Sequence, residues 1–270
     1  MSIHPPHTTE LSTPTDRSGL ASAWTVSDSP PDLSFAFLAQ SDIVTPLALN
    51  PISGTPNNDV LTGTVGDDRI DAGAGSDTMT GGAGNDELIG GAGVDTAVHG
   101  GARANYQVQG GGVAISGPDG NDTLNGVERM RFSDLSLAFD VNGGGAAGNT
   151  AKLLGAVFGA AAVQNESYAG IGLGIFDNEG ANYAAVANYA IRAALGNSIA
   201  NADLVRLLYT NVVGTAPSDA ELNTYVGLLN NGTYTQVSLT LLAADHPLNT
   251  DRIDLTGIAQ NGLEYIPVAG

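Results

Sequence analysis

Between residues 54 and 98 the apolar positions fall into a nine-residue rhythm. Leu61, Ile70, Met79, Leu88 and Ala97 are each nine residues apart, and each lies two places after an aspartate: Asp59, Asp68, Asp77, Asp86 and Asp95. Glycine fills much of the remaining space, most regularly in Gly81–Ile89 and Gly90–Val98. The frame gives five contiguous copies starting at Gly54, Gly63, Ala72, Gly81 and Gly90. A separate sixth copy, Gly117–Asn125, carries Asp122 and Leu124. Alternation in a strand has period two, so a three-residue strand with one inward side chain needs a single apolar position. One copy cannot bury that side chain alone, whereas stacked copies can. Two nonapeptides then make one coil, with turns alternating between two edges. On this register copies one, three and five share an edge, and Val60, Ile89 and Val98 point outward.

The pattern changes on either side. Residues 1–53 are rich in Ser, Thr and Pro and read as an extended arm, with an apolar stretch at 33–50 that suits a strand or short helix. After the repeats, Tyr106–Gln109 and Val113–Ser116 read as short strands that close the solenoid. Residues 142–149, Gly-rich, read as a flexible linker. From residue 150 the period becomes helical. Candidate helices are Ala151–Val163, Ala181–Leu195, Ala202–Val213, Ser218–Asn230 and Thr235–Ala244, the last stopped by Pro247. Ser218 and Glu221 have the spacing of a capping box. The expected fold class is α+β multidomain: a parallel β-roll over 54–141, then a helical bundle of about five helices over 150–270.

Charge sharpens the picture. The chain has 270 residues and a formal net charge of −19, which argues against a nucleic-acid partner. In stacked coils the aspartates of one edge lie roughly 5 Å apart, so their carboxylates repel unless a cation joins them. Oxygen-only donors favour calcium over magnesium. The expected ligands are Asp59, Asp68, Asp77, Asp86, Asp95 and Asp122, with turn carbonyls near Gly66, Gly73, Gly75, Gly82, Gly84, Gly91 and Gly93. About three sites follow for the contiguous copies, Asp77 being central on its edge. The chain has no cysteine, which makes calcium the expected staple in place of disulfides. No apolar run reaches membrane-spanning length, and the first residues lack the pattern of a cleaved signal peptide.

The repeats follow GGxGxDxUx and closely resemble the RTX calcium-binding nonapeptide repeats that build a parallel β-roll. The segment 122–134, DTLNGVERMRFSD, resembles the one that commonly follows such rolls and is expected to cap the open end. Residues 204–232 resemble a helical domain of unknown function found after RTX repeats and in bacterial surface-layer proteins, although Thr215 follows Gly214 where that family usually has Arg, and its late Trp is missing. The resemblance implies export through the type I secretion machinery with an uncleaved C-terminal signal, and folding outside the cell, where calcium is abundant.

No catalytic residues are expected. The HExxH of RTX proteases and the GxSxG of RTX lipases are both missing, and the 53 residues before the first repeat are few for either catalytic domain. Among the four histidines, His4 and His7 fall in the arm, while His99 and His246 read as surface or packing residues. Asp67, next to Asp68, reads as a turn neighbour rather than an acid–base partner. The leading functional reading is a secreted, calcium-folded structural protein of a bacterial surface or matrix that self-associates into a layer, fibre or biofilm component. The alternative is an adhesin for a cell-surface glycan, with Trp24 and the tyrosines of the helical half as sugar contacts.

Overall fold

The computed structural model describes residues 48–268. The expected arm, up to residue 47, lies outside them, as do His4, His7 and Trp24. Among the described residues twelve short strands form two six-stranded sheets. The first sheet contains β1 (Asn50–Ser53), β3 (Asp68–Ala74), β5 (Glu87–Ala92), β7 (Gln107–Gln109), β8 (Ala114–Gly117) and β9 (Gly120–Asn125). The second contains β2 (Val60–Thr62), β4 (Thr78–Thr80), β6 (Thr96–Val98), β10 (Arg129–Arg131), β11 (Ser136–Ala138) and β12 (Leu263–Tyr265). Even-numbered copies feed the first sheet and odd-numbered copies the second, so the alternation of edges holds. Pairing is parallel and steps by eighteen residues: Ile52 sits beside Ile70, and Ile70 beside Leu88; Leu61 lies beside Met79, and Met79 beside Ala97.

These residues are the core of the roll. Ile70, Met79, Leu88 and Ala97 are fully or almost fully buried and cluster with Leu124, Met130 and Leu137. Burying one such side chain contributes about 1.5–3 kcal/mol, so the short strands depend on the stack. The frame also runs one copy further back than the aspartates reveal. Thr45–Ser53 places Ile52 at the apolar position and Asn50 at the aspartate position, opposite Asp68. The outward residues differ among themselves. Val60 is 81% exposed, whereas Ile89 and Val98 are half-buried, being flanked by Asp71 and Asn125 and by Arg131 respectively.

At the C-terminal end the roll is capped. β10 is the last parallel rung of its sheet, and β11 and β12 continue it antiparallel. The other sheet ends in the antiparallel pairs β9–β8 and β8–β7, so the strands expected at 106–109 and 113–116 are present. His99, Tyr106 and Phe132 form an aromatic cluster with centroids 5.2–5.5 Å apart. His99 is buried there, a packing residue.

Eight α-helices follow among the described residues: α1 (Ala146–Leu153), α2 (Glu166–Asp177), α3 (Tyr183–Leu195), α4 (Asn201–Val213), α5 (Asp219–Asn230), α6 (Gln236–Ala244), α7 (Pro247–Arg252) and α8 (Leu255–Asn261). The helix expected at 151–163 is corrected on two counts. It begins at Ala146, inside the expected linker, whose residues 147–149 are buried. It then widens into a π turn at Leu154–Phe158 and breaks at Gly159, whose φ of 88° ends the helical path. The capping box at Ser218 and Glu221 is present. Pro247 does not only end a helix: it occupies the first turn of α7, where its missing N–H costs nothing.

The helices pack as two groups. One core joins α3, α4, α5 and α6 through Val186, Ile191, Leu204, Leu208, Leu229 and Leu239. A second core joins α1, α2, α7 and α8 to the cap strands, with Ala138, Val141, Leu173, Ile258 and Leu263 buried together. The roll and the helical half therefore share both a sheet, through β12, and a core.

Candidate metal-binding turns

The turn of each copy occupies its first six positions and ends on the aspartate. Stacking places the aspartates in two files. Asp59, Asp77 and Asp95 form one, continued by Glu128. Asn50, Asp68, Asp86 and Asp122 form the other. From Asp59 and from Asp68 onward each file is joined by one repeated hydrogen bond, in which the backbone N–H of one member donates to the carboxylate of the next; Asn50 reaches Asp68 with its side-chain amide instead. The distances are 2.8 Å from Asp59 to Asp77, 2.9 Å from Asp68 to Asp86, 2.8 Å from Asp77 to Asp95, 3.0 Å from Asp86 to Asp122 and 2.9 Å from Asp95 to Glu128. Position five, one residue earlier, is bonded in the opposite direction: the N–H of the later copy donates to the side chain of the earlier one, Asn85 to Asp67 and Ser76 to Asn58. Asp67 is thus a turn-stacking residue. No sequence signal singled out Glu128, which takes the aspartate's place from a segment outside the nonapeptide frame.

One oxygen of Asp77, Asp86, Asp95 and Asp122 is used in this way. The second oxygens of Asp77, Asp86 and Asp95 are buried and have no hydrogen-bond partner among the described residues. These residues are 1%, 2% and 0% exposed. An unsatisfied buried acceptor costs about 1–3 kcal/mol, and a charged one more. Asp59 and Asp68 differ. Their second oxygens accept both the N–H and the hydroxyl of a threonine, Thr55 or Thr64, at 2.5–3.0 Å.

The acidities follow. Burial pushes Asp95 up to about 6, with the charges of Glu128 and Asp77 adding to it. Asp122 is also pushed up to about 6, by burial and by Asp86 and Asp119. Burial raises Asp86 as well. For Asp68 burial acts in the same direction but is outweighed by the hydrogen bonds from Thr64 and Asn50, and its carboxyl lies below the ordinary value.

The expected carbonyl donors lie between the stacked turns. Gly73, Gly82 and Gly91 at position two, and Gly75, Gly84 and Gly93 at position four, have φ between 100° and 138°. A side chain at any of them would strike a backbone carbonyl of the turn below: that of Thr64 at Gly82, of Gly73 at Gly91, of Gly66 at Gly84 and of Gly75 at Gly93. Glycine is needed for both the conformation and the close approach. Among the described residues no three His, Cys, Asp or Glu side chains converge on a metal position. Any ion held here takes one or two carboxylates and completes its shell with carbonyls. That is a hard-ion donor set, and it fits calcium. The orphaned oxygens of Asp77, Asp86 and Asp95 are what such an ion would satisfy.

Two family models match the chain. The family model of the RTX calcium-binding nonapeptide repeat (4 copies) matches residues 53–88 and 62–97. A domain of unknown function, DUF4214, matches residues 184–244, from α3 to the end of α6. No curated protein matches the chain significantly. Among solved structures, the crystal structure of extracellular lipase LipA from Serratia marcescens is similar over 33% of this chain at 19% identity and a TM-score of 0.29, and the similar region spans 17% of the lipase. The chain carries RTX repeats, which are calcium-binding, with a DUF4214 domain behind them.

Proposed function

We propose that this protein is a secreted structural protein of a bacterial surface or extracellular matrix, folded by calcium and assembled by self-association. The observation that carries the reading is the set of three buried carboxylate oxygens without donors, on Asp77, Asp86 and Asp95. A roll built this way is under strain without a cation and is completed by one, so folding follows the calcium concentration. The proposed ligands are these three aspartates and Asp122, together with the carbonyls of the turn glycines. RTX repeat proteins are typically type I secreted and extracellular, and among the described residues no helix is long and apolar enough to cross a membrane. Self-association draws support from the N-terminal end of the roll. Among the described residues nothing pairs with the outer edges of β1 and β2, and Val60 and Val65 there are 81% and 89% exposed. Edges of this kind are ordinarily covered. Light scattering and electron microscopy of the purified chain, with calcium and with EDTA, test the reading. Calcium-dependent particles larger than the monomer are expected; a calcium-loaded monomer at all concentrations rejects assembly.

The adhesin reading has its own support. Phe158, Tyr168 and Tyr189 stand exposed around an apolar groove of about 280 Å³ between α1, α2 and α3, and aromatic faces suit sugars. Glycan binding by calcium-loaded monomers would favour it over the structural role.

A further inference from the structure

The turns of the roll are of two kinds, and the calcium reading alone does not anticipate the division. In copies three, four and five, position two is glycine with φ of 100–110°, and the second aspartate oxygen has no donor. In copies one and two, position two is Thr55 or Thr64. Neither has a positive φ: among the described residues only one non-glycine, Asp254, does. With the backbone in this ordinary conformation, the threonine N–H donates to Oδ2 of the copy's own aspartate, at 2.6 Å in copy one and 2.5 Å in copy two. The threonine hydroxyl donates to the same oxygen, at 2.8 and 3.0 Å. It also accepts the N–H of position four, Asn57 or Gly66, at 3.2 Å. The hydroxyl thus occupies the centre of the turn and joins the carboxylate to the backbone opposite, as a cation would.

We infer that the first coil of the roll is closed by Thr55 and Thr64 in place of metal, and that calcium enters only the turns from copy three onward. The two closed turns lie one on each edge, both at the N-terminal end, so the division is between ends of the roll rather than between its edges. Asp59 and Asp68 each have Oδ2 satisfied within their own turn, and Oδ1 of Asp68 accepts the amide of Asn50 at 2.7 Å. A cation there would have to displace three hydrogen bonds per turn, around an Oδ2 that already has its donors. In the later turns it displaces nothing and satisfies a buried oxygen. The solenoid so acquires a base that folds without the ion and a remainder that requires it.

This inference rests on calcium binding by the repeats, and the experiment separates the two. Bound calcium per chain is measured by elemental analysis after equilibrium dialysis, on the full chain and on single variants. Asp77→Asn and Asp86→Asn are expected to lower the count by one each. Asp59→Asn and Asp68→Asn are expected to leave it unchanged; Asp59 is only half-buried, so its variant folds even where that of Asp68 does not. Thr64→Gly, which empties the turn centre and restores the glycine of the later copies, is expected to raise the count by one. A lower count in Asp59→Asn, or an unchanged count in folded Thr64→Gly, overturns the division. A wild-type chain that binds no calcium defeats the underlying reading instead.

Discussion

The backbone N–H of Asp77 donates to Oδ1 of Asp95 across 2.8 Å, from eighteen residues earlier in the chain. The bond consumes one carboxylate oxygen and leaves the other, Oδ2, buried without a partner. An amide at the same position keeps one acceptor for the ladder and removes the charge. Asp95→Asn is therefore expected to act with opposite sign in two conditions. Without calcium it stabilises the chain by about 1 kcal/mol or more, since an unpaired buried charge is removed. With saturating calcium it destabilises, because a ligand is lost. Paired thermal melts in EDTA and in calcium show the crossing; destabilisation of equal size in both would mean that the carboxylate is not waiting for a cation.

Calcium removal as a whole is expected to abolish the strand signal of the coils from copy three onward, while that of the first coil and much of the helix signal survive. The core of α3 to α6 is built from helical side chains, Leu153 and Val157 of the α1 segment among them, and takes none from the roll, whereas α1, α2 and α8 share a core with the cap strands. Far-UV circular dichroism on titration with EDTA distinguishes these parts. Unchanged strand content in EDTA would show that the roll stands without metal.

Much of this was readable in the sequence, and the losses have physical causes. Aspartate at position six and an apolar residue at position eight suffice to give the register, the two edges and the solenoid. The zeroth copy was hidden because Asn50 and Pro51 break the pattern while Ile52 alone preserves it. α2 was hidden by Gly170, Gly172 and Gly174, poor helix formers. The structure shows their reason: a side chain at Gly170 would strike the carbonyl of Ile266, beyond the last strand, and one at Gly172 would strike Thr150. The two kinds of turn were visible as Thr against Gly at position two, but their meaning depends on where a hydroxyl points. Glu128 and Arg129 carry no repeat signature at all, and only three-dimensional stacking assigns them a place.

Acid is expected to replace calcium in part. In the metal-free fold Asp95 and Asp122 are raised from 3.8 to about 6. Their contribution to stability is fully present below pH 3.8 and is lost as pH rises through 6. His99 acts oppositely. Burial lowers it from 6.5 to about 4, so its contribution is present above 6.5 and is lost as pH falls through 4. Metal-free protein should melt higher at pH 5.5 than at pH 7.5, and calcium should bind more weakly at the lower pH as protons compete for the same oxygens. Replacing His99 by a neutral aromatic should extend the gain below pH 5. A metal-free melting temperature that falls steadily from pH 7.5 to 5.5 would contradict the assignment.

The last prediction concerns the joint between the roll and the helices. Arg129, on the last parallel rung, is 2% exposed. Its guanidinium contacts both oxygens of Asp177 at the end of α2, at 2.9–3.2 Å, and pairs with Asp140. Asp140 in turn accepts the N–H groups of Ala146 and Ala147 at the start of α1, where a carboxylate also suits the helix dipole. One buried cation thus joins a strand of the roll to the ends of two helices. Removing it leaves two partly buried carboxylates facing each other unpaired, and breaking a fully buried pair costs about 3–5 kcal/mol, an upper bound here. Arg129→Met is expected to lose about 2–3 kcal/mol in urea denaturation at pH 7, less than a fully buried pair because the carboxylates keep some solvent. Arg129→Lys should recover only part, since a single ammonium cannot reach both partners as the planar fork does. Arg129→Met combined with Asp177→Leu should recover more, because the unpaired charge goes with its partner. In Arg129→Met calcium should still order the strands but raise the melting of the helical half by less than in the wild type. An unaltered calcium-induced shift in the helices would show that β12 and the shared core couple the two halves without the arginine.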